Sequence, residues 1–162
     1  MGGVGLGMSM KTSSRTAGWK AVAWGGLWAG MGDYIFALSF YGWKPGVFQT
    51  VAGGLIGREA ALAGGVATFL LGTALHFVIA GIWAGIFWVL AKWIPLLVRG
   101  WVVAGMVYGL VVYLGMNCVV LPSSALNVPV RWPPMVSWPA AAHVVLVGLP
   151  IAGVVRRVGC GG

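Results

Sequence analysis

Acidic side chains are nearly absent from this chain: Asp33 and Glu59 are the only two in 162 residues. Charge of either sign is scarce as well, at 7% of residues, where an average soluble domain carries roughly 25%. So few charges cannot coat a water-soluble globule of this size. Catalytic patterns are missing too. There is no paired-carboxylate site, no HExxH and no Ser-His-Asp set at a shared depth, and Gly30 with Gly32 lacks the third glycine, strand and helix of a nucleotide fingerprint, so an enzyme is not expected. The two cysteines, Cys118 and Cys160, stand far apart in no CxxC or zinc-type spacing, which excludes a disulfide framework and a cysteine metal site.

What the chain has in abundance is apolar surface. Hydrophobic residues make up 60% of it, and the mean hydropathy is +0.95. Ten tryptophans and 28 glycines suit a bilayer, because glycine is frequent in membrane helices and tryptophan gathers at the interfaces. The net charge of +8 would suggest nucleic acid in a soluble protein. Here Lys11, Arg15, Lys20, Lys44, Arg58, Lys92, Arg99, Arg131, Arg156 and Arg157 fall between apolar runs, so anionic lipid headgroups are the expected partners and nucleic acid is not.

Crossing a hydrocarbon core about 30 Å thick takes about 20 apolar residues. Counting uncharged runs predicts an all-α membrane protein, a four-helix transmembrane bundle with spans at about 18–41, 62–91, 100–121 and 140–155. Gly46 to Gly57 is too short and too glycine-rich to span and reads as an interfacial or re-entrant helix. Ala60 to Ala91 carries no charge over 32 residues. That is about 48 Å of helix, which implies tilt, a break near Gly64 and Gly65, or a projection beyond the lipid. The stretch Pro122–Pro139, with five prolines, reads as a loop over the bundle, and the last span is only 16 residues with Pro150 inside it. The expected organisation is a flexible cytoplasmic N-terminus over 1–16, one transmembrane domain over 17–157 and a tail over 158–162. The run after Lys20 has no A-x-A-like site, so a retained first helix is expected rather than a cleaved signal.

Four crossings put Lys11, Arg15, Lys20, Lys92, Arg99, Arg156 and Arg157 on one side and Lys44, Arg58 and Arg131 on the other. Seven against three places both termini in the cytoplasm, and an odd number of crossings would lose this agreement. Trp19, Trp43, Trp93, Trp101, Trp132 and Trp138 fall at span ends, as an interfacial belt requires, while Trp24, Trp28, Trp83 and Trp88 lie deeper and read as bulk opposite glycines. Gly26 with Gly30, Gly81 with Gly85 and Gly105 with Gly109 each form a GxxxG, and Thr68 with Gly72 extends the small face of the second span. These seams are expected to bundle the chain on itself in preference to building a homodimer.

Ionisable groups inside a membrane are costly, which makes each a functional candidate. On this topology Asp33, Asn117 and His143 share a depth in the outer half, and His76 lies near the middle of its span. A buried polar cluster of Asp33, Asn117 and His143, with His76 nearby and Tyr34 or Tyr113 beside it, is the expected site; interhelical hydrogen bonding is its structural explanation. Asp33 has Arg58 or Arg131 as alternative partners. No cofactor is expected, with a b-type haem held between His76 and His143 as the alternative.

Three segments, Gly32-Asp-Tyr-Ile-Phe-Ala to Gly42, GGVATFLLGTALHFVIAGIWAGIFW over 64–88 and YGLVVYLGMNCVVLPSSA over 108–125, together resemble a group of small uncharacterised bacterial inner-membrane proteins with four predicted transmembrane helices. The resemblance covers about residues 20–125 and rests on Leu75-His76-Phe77 and on Met116-Asn117 to Pro122. It implies a bacterial plasma membrane and a four-helix fold, and carries no activity with it. The expected role is therefore a non-enzymatic structural or accessory membrane component, with other membrane subunits or a homo-oligomer as partners. The alternatives are a small oligomeric transporter or channel and a haem- or quinone-binding redox module.

Overall fold

The computed structural model describes residues 6–159, with side chains from 18 to 158. Residues 1–5 and 160–162, including Cys160 and most of the expected tail, lie outside the described residues. Every element among the described residues is helical. The chain runs through α1 (Leu6–Phe40), α2 (Gly46–Ile56), α3 (Arg58–Ala63), α4 (Gly65–Trp93), α5 (Leu96–Arg99), α6 (Trp101–Val120) and α7 (Trp138–Val158). Of these, α4, α6 and α7 are long and apolar enough to cross a membrane.

The four long helices pack antiparallel to their neighbours in the order α4, α1, α7, α6. The register of α1 on α4 is set by small residues: Gly18 faces Trp88, Val22 faces Gly85, Gly26 faces Gly81 and Gly30 faces Phe77. Gly105 and Gly109 of α6 meet the α7 backbone at Gly148, Leu149, His143 and Val144. All three GxxxG pairs thus lie along contacts within the chain. Backbone contact is what lipid-embedded helices use in place of a hydrophobic drive.

The interior is correspondingly built from small side chains, Ala21, Ala29, Ala84, Ala91 and Ala152, with Phe87, Ile151 and Val155 as its largest fully buried members. Large apolar side chains such as Leu70, Ile82, Val103 and Val107 point outward, more than half exposed. Such a surface would drive association in water and is the natural lipid-facing surface of a membrane bundle.

Several boundaries differ from the sequence reading. Helix α1 begins at Leu6, so the segment expected to be flexible up to residue 16 is helical from there on; no proline interrupts it. The last helix starts at Trp138 and reaches Val158, 21 residues in place of 16. The Ser137 hydroxyl accepts from the Ala140 N–H at 3.3 Å, and Pro139 sits in the first turn, where its missing N–H costs nothing. Pro150 is accommodated further along by π-wound turns over His143–Gly148. The long uncharged run breaks at Gly64–Gly65, where Gly65 takes φ 56°. Trp83 and Trp88 pack against Gly115 and Gly18 as expected, whereas Trp24 and Trp28 face outward, on the far side of α1 from Gly26 and Gly30.

Helix α2 docks on α4. A Cβ at Gly72 would collide with the Phe48 carbonyl, and the Gln49 side chain donates to the Gly65 carbonyl at 3.0 Å and reaches the Thr68 hydroxyl at 3.3 Å. The loop after α6 is tied to the same place, through the Ala125 N–H to the Gly54 carbonyl at 2.9 Å.

Candidate functional site

The antiparallel register brings α1, α4 and α7 together around a small, mostly apolar cavity of about 50 Å³. Asp33 from α1, His76 from α4 and His143 from α7 all border it, with Trp83, Met116 and Val147 among its apolar walls. Three of the four sequence candidates therefore converge on one void.

Both histidines are oriented by backbone carbonyls. The His76 Nε2–H donates across helices to the Gly30 carbonyl at 2.9 Å. The His143 Nδ1–H donates one turn back to the Pro139 carbonyl at 2.8 Å. A carbonyl only accepts, so these bonds place a proton on Nε2 of His76 and on Nδ1 of His143. Aromatic neighbours hold the rings in place. Phe48 and Phe77 lie edge-on to His76 with centroids at 5.4 Å, Tyr34 stands at 5.9 Å, and Tyr113 stands 5.4 Å from His143. The two tyrosines expected near the cluster thus flank one histidine each.

Asn117 does not join. Its side-chain amide donates to the Tyr113 carbonyl of its own helix at 2.8 Å. Met116 borders the cavity four residues after Val112, on the same face of α6, and Asn117 follows about 100° round from that face. Conversely His76, expected nearer the bilayer middle, lies level with Asp33, because Gly30 pairs with Phe77 and fixes the sliding position of α4 on α1. Arg58 and Arg131 are exposed and do not border the cavity.

No family model matches this chain, and no curated protein or solved structure does.

Among the described residues, no three His, Cys, Asp or Glu side chains come close enough to share a metal ion. Asp33, His76 and His143 can be linked only through whatever fills the space between them. About 50 Å³ accommodates one or two waters at roughly 30 Å³ each, with a carboxylate and two imidazoles as polar partners. At about 50 Å³ the cavity is far below the roughly 300 Å³ at which pockets for drug-sized ligands begin. What the arrangement brings to one void is a carboxylate and two imidazoles, the groups around which a water could be held.

Sequence reasoning missed Gly148, which has no GxxxG partner in its own helix. Its would-be Cβ position is filled by the Gly105 carbonyl and the Gly109 backbone, the tightest seam in the α6–α7 pair. It missed Phe48 as well, which is 1% exposed and stacks on Tyr34 with centroids 4.1 Å apart.

Proposed function

We propose that this chain is a multi-pass protein of the bacterial inner membrane, in which α1 joins α4, α6 and α7 to make four crossings with both termini in the cytoplasm. Its role is that of a non-enzymatic structural or accessory component, assembled with lipids and with other membrane subunits or further copies of itself. Support for the orientation comes from one end of the bundle. Lys92 lies over Trp88, which faces Gly18 near Lys20, and Arg156 lies over Trp101, which packs on Gly153. The basic residues of three separate segments gather there, as the positive-inside rule requires of a cytoplasmic face. The resemblance over residues 20–125 points to the same compartment.

The observation that carries the structural role is how the intramembrane polar groups are used. His76 donates to Gly30 of another helix, and the Tyr108 hydroxyl donates to the Trp83 carbonyl at 2.6 Å. These bonds fasten helix to helix. Purification in mild detergent, with mass spectrometry of what accompanies the protein, tests the reading. A stoichiometric membrane partner or a defined homo-oligomer without transport activity is the expected result, and a preparation that moves protons or solutes in sealed vesicles by itself would overturn it. Accessibility labelling at the two termini should report one compartment, and opposite compartments would remove the four-crossing topology.

A second reading, a small oligomeric transporter handling protons, is favoured by the convergence of Asp33, His76 and His143 on one water-sized cavity. In a double-mutant cycle by reversible unfolding in micelles, Asp33→Ala and His143→Ala are expected to couple by about 1 kcal/mol, within the range found for polar contacts in membranes. Asp33→Ala with Asn117→Ala should be additive within about 0.5 kcal/mol. Independence of the first pair would mean that the cavity does not act as one site.

A further inference from the structure

A groove of about 890 Å³ runs between α1 and α7 on the outside of the bundle. Trp28, Met31 and Ile35 form one wall, Val145 and Leu149 the other, and the groove ends at Arg156 and Arg157. Its length is informative. From Val145 to Arg157 the helix advances about 18 Å at roughly 1.5 Å per residue, close to one leaflet of a core about 30 Å thick. A transmembrane helix from a protein partner would need an apolar groove of full bilayer length, nearly twice as long.

The charged end has one sign. Neither Asp33 nor Glu59, the only acidic residues in the chain, borders the groove. The Arg156 guanidinium lies 5.7 Å above the Trp101 ring, and Trp101 in turn packs on Gly153, which gives the basic end an indole floor. Guanidinium groups bind phosphate through paired N–H donors, and an aromatic face beneath one holds it in orientation.

We propose that this groove is a binding site for an anionic phospholipid, with the phosphate on Arg156 and Arg157 and an acyl chain laid between Ile35 and Leu149. An apolar channel of single-leaflet length capped by uncompensated arginines matches that molecule in both shape and charge. The site goes beyond the role proposed above; only its assignment to the cytoplasmic leaflet rests on that orientation.

The test uses the full-length protein in nanodiscs and native mass spectrometry, with phosphatidylglycerol as the probe, phosphatidylcholine as the neutral comparison and inorganic phosphate as a competitor. Phosphatidylglycerol should be retained as a discrete adduct, and phosphate at equal concentration should not displace it. Arg156→Gln with Arg157→Gln should weaken retention by roughly 30-fold, the combined effect of two basic residues at a membrane surface. Leu149→Trp, which fills the groove, should abolish the adduct while leaving both arginines in place. A phosphatidylglycerol carrying a photoreactive acyl chain should label the wild-type protein around Ile35 and Leu149, which keeps the proposal testable if either variant fails to fold. Unchanged retention in either folded variant, displacement by phosphate, labelling spread evenly over outward residues such as Val66 and Val103, or a protein crosslinked in the groove would each overturn it.

Discussion

Gly148→Val is expected to destabilise the bundle by about 3 kcal/mol, the upper part of the range for overpacking a close-packed contact. A side chain at this position would occupy the space of the Gly105 carbonyl and the Gly109 backbone. Backbone atoms inside a helix cannot rotate aside as a flexible side chain can, so α6 and α7 must separate or slide. Either movement shifts His143, about one and a half turns earlier in α7, away from the cavity it shares with Asp33 and His76. Gly81→Ala is the contrast. It belongs to a GxxxG and lies against Gly26, yet nothing stands within 4 Å of where its Cβ would go. Alanine there should change stability by less than about 1 kcal/mol, with helix propensity favouring it. Reversible unfolding in mixed micelles measures both, and equal losses would show that the small-residue motif matters but this geometry does not.

The second large effect is expected at Phe48. Its ring is fully enclosed, stacks on Tyr34 and stands edge-on to Phe69 at 6.2 Å and to His76 at 5.4 Å. Phe→Ala at such a site costs roughly 3–5 kcal/mol. The loss should be local, because α2 rests on α4 and on the loop after α6, while the α6–α7 seam lies elsewhere. Phe48→Ala should therefore accelerate amide exchange in α2 and leave α7 protected. If exchange rises equally in both, the bundle unfolds as one unit and α2 is not a separately docked element.

The effect should also reach the candidate site. Phe48 and Phe77 bracket the His76 ring, and the Gly30 carbonyl anchors it. Removing one bracket lets the ring turn, so the coupling between the His76 and Asp33 positions should fall in Phe48→Ala. Nothing in the segment Gly46–Gly57 announces this role in sequence. Phe48 is one aromatic in a short apolar stretch, and only its docking against Tyr34 and α4 gives it a function.

Much was legible in the residues themselves. Runs of apolar side chains set the lengths of α4 and α6 to within a few residues, since lipid demands helices whose backbone bonds are all internal. Lys92 over Trp88 and Arg156 over Trp101 stand at one end of the bundle. Gly26, Gly30, Gly105 and Gly109 marked seams because small residues at helical spacing permit backbone approach. Asp33, His76 and His143 stood out because ionisable side chains are rare in such runs.

Which of those side chains meet could not be read the same way. Depth counted along separate helices assumes that each is centred in the bilayer and evenly wound. Helix α4 is 29 residues long, so its midpoint is a poor measure of depth, and the contact of Gly30 with Phe77 decides that His76 stands beside Asp33. In α6, Val112 and Met116 share the face that meets the cavity, and Asn117, one residue off that face, bonds back to the Tyr113 carbonyl of its own helix. The sequence by itself determined that α4, α6 and α7 are apolar enough to cross a membrane and where their small faces lie, because these are properties of one segment against lipid. The register between helices, and with it the cavity between Asp33, His76 and His143 and the groove ending at Arg156 and Arg157, was decided only by the tertiary structure, because a sliding position is a property of two backbones in contact.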